Sequence, residues 1–148
     1  MALRPSLPAV HPALGALKHD EARRIYEGIL SVGDRKIALR LESDKAGDFA
    51  NAEKAAARFA AASESDCRAV AEFLAERYLD RLNDEWKLPG NKPVSYRRFI
   101  KLTRPTSVTF RGDGVAEFIG GARLSEGGHC LIARARHDGQ LFDAGLAG

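Results

Sequence analysis

Between residues 35 and 43 apolar and polar side chains alternate, with Ile37, Leu39 and Leu41 set against Lys36, Ala38, Arg40 and Glu42. A period of two puts the first group on one face of a β-strand and the second on the other. Arg23 to Val32 reads as the preceding strand, with Tyr26, Leu30 and Val32 sharing a face, and Leu14 to Asp20 as a shorter one. Gly33-Asp34 makes a two-residue hairpin link, because glycine takes positive φ without steric cost. The first third is therefore expected to be an antiparallel meander.

From about Asp48 the period becomes helical: Phe49, Ala52, Ala56, Phe59 and Ala60 recur on one side of an alanine-rich segment free of Pro. This helix ends near Ala62. Ser63-Glu64-Ser65-Asp66 offers N-cap chemistry for a longer helix to about Lys87, with Val70, Leu74, Tyr78, Leu82 and Trp86 inward. Arg68, Glu72, Arg81 and Glu85 can pair at i, i+4 on its outer side, and Pro89-Gly90 stops it. Ser95 caps a short helix from Tyr96 to Leu102, and Pro105 restores extended chain. Strands follow at Thr106 to Arg111, Val115 to Ile119, His129 to His137 and Gln140 to Asp143, with turns at Gly112-Asp113-Gly114 and Asp138-Gly139.

The reading is α+β: an antiparallel sheet of six or seven strands, three before the helices and three or four after. Two long helices cover one face, with no parallel βαβ unit. Residues 1–12, with Pro5, Pro8 and Pro12, form an extended lead, and residues 13–148 form one domain.

Composition narrows the class. A 148-residue chain that is 45% hydrophobic and 29% charged suits a folded domain, and no apolar run approaches the roughly 18 residues a bilayer span needs. The first dozen residues lack a signal-peptide core. Cys67 and Cys130 lie far apart without metal-ligand spacing, and both are expected to be buried thiols in a cytoplasmic, reducing setting. The net charge of +3 is unevenly spread: residues 44–88 hold 7 Lys/Arg and 10 Asp/Glu, a balance of −3, whereas residues 92–137 hold 9 against 3, a balance of +6.

No phosphate-binding, dinucleotide-binding, zinc-protease or serine-nucleophile motif is present, and no cofactor is indicated. His129 and Cys130 are strand neighbours pointing to opposite faces, so they cannot act as a pair. His11, His19 and His137 have no spacing that gathers them on a metal. Glu72, Glu76, Asp80 and Asp84 follow the exposed side of a helix, where nothing desolvates them. The candidate binding residues are His129 with Arg134, Arg136, Arg97, Arg98 and Arg111. Arg134 and Arg136 alternate onto one face with Cys130 and Ile132. A nucleic-acid surface would need such cations in one stripe with exposed aromatics, and Tyr96 is the sole neighbour of that kind.

Two stretches carry a resemblance. His11-Pro12-Ala13-Leu14-Gly15 near the start, and Gly128-His129-Cys130-Leu131-Ile132 through Asp143-Ala144-Gly145-Leu146-Ala147-Gly148 at the end, resemble a bacterial family of small proteins known as a domain of unknown function. The resemblance runs from His11 onward and implies an α+β fold with no assigned activity. Among proteins of similar type it also implies immunity or toxin-neutralising partners. The plain reading of its motifs is structural, with His11-Pro12 fixing entry to the first strand.

The first expectation is a non-enzymatic module that binds another protein through its acidic helix face or basic sheet edge. The alternative is a small ligand-binding protein or enzyme with a pocket between sheet and helices, His129 and Arg134 orienting an anion. Nucleic-acid binding through the basic half is the weaker alternative. A homodimer formed by pairing the first or last strand across a two-fold axis stays open.

Overall fold

The structure, a computed structural model, describes residues 7–86, 93–121 and 130–147. Among them the alternating segments form one eight-stranded sheet in sequence order: β1 Val10–His11, β2 Gly15–Asp20, β3 Ile25–Val32, β4 Arg35–Glu42, β5 Ser107–Phe110, β6 Ala116–Gly120, β7 Cys130–Ala135 and β8 Leu141–Ala147. The expected total of six or seven falls one short. The extra strand, β1, is two residues long and pairs with Ala16 and Gly15, too briefly to display a period.

Every neighbouring pair is antiparallel except β4 and β5, which run parallel. That corrects the purely antiparallel expectation. Helices α1 Ala50–Ala61, α2 Ser63–Arg81 and α3 Tyr96–Leu102 carry the chain back to the end of the sheet where β4 began. The Arg35 guanidinium marks the return, donating to the carbonyl of Pro105 at 3.2 Å just before β5 starts. Re-entry at the same end forces parallel pairing.

The helices pack on one sheet face, α1 against β4 and β5, and α2 against β7 and β8. The core they share holds Leu39, Leu41, Val108, Phe110, Phe118 and Leu131 from the strands with Phe59, Val70 and Leu74 from the helices. Phe59 stands at its centre, 5.8 Å from the ring of Phe110 and 5.4 Å from that of Phe118. One residue, Ala62, separates α1 from α2, and no side chain caps α2, so the serines after it are helical instead of initiating. A π-helical turn, Leu82–Trp86, extends α2. Within it Asn83 clamps the backbone of Val94, donating to its carbonyl at 3.0 Å and accepting its N–H at 2.7 Å. Ser95 caps α3 as expected, its side chain accepting the N–H of Arg98.

Geometry requires glycine at several described positions, two of which shape the strand connections. Gly33 has φ of 62° in the β3–β4 hairpin. At Gly112, in the β5–β6 turn, a Cβ would strike the backbone of Ser43 and Asp44, so only glycine lets the two loops meet.

Candidate interaction surface

Alternation leaves the other sheet face to the polar residues. Strand register lines them up in two rows. One crosses seven strands: Lys18 pairs with Glu27, Glu27 with Arg40, Arg40 with Thr109, Thr109 with Glu117, Glu117 with Arg134, and Arg134 with Asp143. The adjacent row is mostly apolar, running through Ile29, Ala38, Ser107, Ile119, Ile132 and Gly145. Ile29 is 65% exposed, among the most exposed large hydrophobic side chains described.

Within the charged row Glu117 is the hinge. It accepts from Arg111 at 3.4 Å and lies 3.8 Å from Arg134, while Arg111 also reaches Asp113 at 3.1 Å and Arg134 reaches Asp143 at 2.7 Å. The fold thus brings two of the six sequence candidates together, on a shared carboxylate. Their charge is already matched by three carboxylates, which leaves little field for a free anion.

The other candidates lie elsewhere. Arg136 follows the last residue of β7, so the expected alternation with Arg134 stops there; its backbone closes the β7–β8 turn and its guanidinium lies 5.1 Å from the Phe142 ring centre. Arg97 and Arg98 are exposed on α3, and among the described residues no side-chain bond ties them to the Glu117 network. His129 lies outside the described residues.

Two of the other histidines, His11 and His19, have local roles. His11 is buried; its Nδ1 accepts the backbone N–H groups of Ala13 and Leu14 at 3.0 and 3.2 Å. That nitrogen must then be unprotonated, so Nε2 carries the hydrogen and donates to Glu53 at 2.8 Å. With both ring nitrogens engaged, His11 ties the entry of the sheet to α1. His19 stacks on Tyr26 at 4.5 Å, and Phe49 meets Tyr26 edge-on at 4.8 Å. No group of three or more His, Cys, Asp or Glu among the described residues is arranged to hold a metal ion.

Between the helices and the sheet a cavity of about 20 Å³ is lined by Arg58, Phe59, Asp66, Phe118 and Leu141. It has room for about one water molecule, far less than a metabolite needs. Burial pushes the Asp66 carboxyl above its ordinary range, while the guanidinium of Arg58, 2.9 Å away, pulls the other way. Burial likewise pushes the Cys67 thiol up to about 11, against the pull of Arg35, which makes it a poor nucleophile. Cys130 is half-buried instead of buried, on the same side of β7 as Ile132. On α2 the expected outer pairs form, Arg68 with Glu72 at 2.9 Å and Arg81 with Glu85 at 3.2 Å, so the acidic helix face is partly self-neutralised.

The arrangement is that of an α+β protein with one sheet face packed and, among the described residues, the other left open. No helix among the described residues is long and apolar enough to cross a membrane. The chain belongs to a bacterial family, described as uncharacterized protein conserved in bacteria (DUF2262), whose model matches residues 11–146. No curated protein and no solved structure matches the chain. The matched span begins at His11, whose buried anchor gives that motif its physical sense.

Proposed function

We propose that the protein is a non-catalytic protein-binding module, and that its docking surface is the open face of the sheet. The observation that carries this is the apolar row from Ile29 to Ile132 lying beside a charged row of zero net charge: Lys18, Arg40 and Arg134 against Glu27, Glu117 and Asp143. Apolar side chains framed by sign-alternating charges suit another protein surface, where burial supplies affinity and the charges set register. A phosphate backbone would instead call for a cationic stripe. Neutralising a toxin would be one use of such a surface, suggested by the sequence resemblance. A cytoplasmic setting fits a buried, unreactive Cys67.

The test is site-specific photo-crosslinking in a bacterium that carries the gene. A photoreactive residue at position 29 should yield a discrete protein adduct, and one at position 76, on the outer side of α2, should not. Equal labelling from the two positions, or none from position 29, would refute the assignment.

A further inference from the structure

Resting on that reading, we infer that the partner of the open face is a second copy of this chain, packed face to face about a two-fold axis along β5. The inference comes from the order of charges across the sheet. From β2 to β8 the row reads Lys18, Glu27, Arg40, Thr109, Glu117, Arg134, Asp143. Its signs are plus, minus, plus, neutral, minus, plus, minus. A two-fold axis parallel to the strands reverses this order and keeps each row at its own height. Lys18 then meets Asp143 of the second copy, Glu27 meets Arg134, Arg40 meets Glu117, and Thr109 meets itself.

Cross-strand pairing inside one sheet accounts for alternation, but not for this antisymmetry. Seven strictly alternating charges would be the same read from either end, and a two-fold partner would set like against like. The neutral Thr109 at the fourth place shifts the phase of the second half, so every charged position finds its opposite. The same operation lays the apolar row on itself, Ile29 over Ile132 and Ala38 over Ile119, with Ser107 on the axis. A two-fold interface is self-complementary by definition, and both rows satisfy that condition about the same strand.

Sheets packed face to face keep their strands within about 30° of each other, and their twist concentrates contact on the middle strands. Seven strands about 4.8 Å apart, with about three outward residues each, leave roughly 500 Å² per copy once the diverging corners are removed. About 1,000 Å² in total is the lower bound of a specific interface, so a Kd on the order of micromolar is expected.

The experiment is sedimentation equilibrium of the full chain between about 1 and 200 μM, bracketing that Kd. Wild type should pass from monomer to dimer. The double variant Glu27→Arg/Arg40→Glu keeps the net charge and the pairing between these two strand neighbours, yet places like charges against Arg134 and Glu117 of the second copy. It should weaken the dimer at least tenfold, while the dilute protein melts within a few degrees of wild type, having lost only the exposed pairing of Glu27 with Arg23 and Lys18. The reciprocal variant Glu117→Arg/Arg134→Glu should fail to pair with itself for the same reason. Mixed one to one, the two variants should form a heterodimer, because all four contacts are then opposite in sign; a misfolded chain could not complement in this way. A wild type that is monomeric throughout, a double variant that pairs as wild type does, or variants that ignore each other would overturn the inference. If wild type is monomeric while position 29 still yields an adduct of another protein, only the second-copy assignment falls; no adduct at all defeats both.

Discussion

On the covered face of the sheet Leu39 and Phe110 are 2% and 1% exposed, while on the open face their strand neighbours Ala38 and Arg40 are exposed and Thr109 is half-buried. Both faces come from alternate residues of the same strands. The covered face holds the molecule together by burial, which screening of charges by salt does not weaken. In the dimer we infer, the open face works by order: its charges would do little as a list, and their sequence across the strands is what gives the surface a direction and its match to a second copy. On the function proposed, stability and recognition occupy opposite sides of one layer, so each can be altered with little effect on the other.

That separation can be broken in graded ways. The largest effect should come from Phe59→Ala, which empties the centre of the covered face; a loss of about 3–5 kcal/mol by urea denaturation is expected. Ile29→Ala on the open face should stay within about 0.5 kcal/mol. Comparable losses from the two would mean that the open face also supports the fold. Next comes His11→Ala, which strips the backbone N–H groups of Ala13 and Leu14 of their acceptor and Glu53 of its donor. About 2 kcal/mol of stability should be lost. A loss near zero would show that solvent replaces the imidazole.

Removing the shared carboxylate by Glu117→Gln should reduce stability by about 1 kcal/mol in low salt and by clearly less in about 1 M salt, read from paired melts. A salt-independent loss would contradict an electrostatic role for the row. The smallest effects are in pH. Asp66 holds its proton more tightly folded than unfolded, so its contribution to stability is fullest below the ordinary value of 3.8 and fades as pH rises through its raised folded value. Asp138 has the opposite sign: the N–H of Gln140 lowers its value, and its contribution is present above 3.8 and lost as pH falls through the lowered folded value. Acid titration of Asp66→Asn and Asp138→Asn should therefore bend the wild-type stability curve in opposite directions; shifts of the same sign would contradict both environments.

Much of this architecture was legible in the chain. Ile37, Leu39 and Leu41 announced β4 because a half-buried strand imposes a period of two, and Ser95 announced α3 because few residues other than a cap begin a helix so cleanly. Less legible was anything set by long-range register. The parallel join of β4 to β5 depends on where three helices deliver the chain, which no local period records. The grouping of Arg111 with Arg134 needed Glu117, whose position opposite Arg134 and within reach of Arg111 emerges only once β5, β6 and β7 align. The arginines of the basic half read along the sequence as one cationic site, whereas the fold sets Arg111 and Arg134 among carboxylates and holds Arg97, Arg98 and Arg136 elsewhere. His11 belongs to a motif legible in the sequence, but its partner Glu53 sits on a helix and no spacing connects the two.

The single parallel join also divides the order in which the molecule can assemble. The strands β1 to β4, and β5 to β8, are each linked by connections of nine residues or fewer, so either set can zip from local contacts. Joining Leu39 to Val108 must instead close a loop through residues 43–106, and the chain entropy of that closure is spent before the contact returns anything. We expect the rate of folding to be governed at this seam. Destabilising substitutions at Val108 should slow folding, whereas equally destabilising ones at the buried Leu131 of β7, such as Leu131→Ala, should chiefly hasten unfolding.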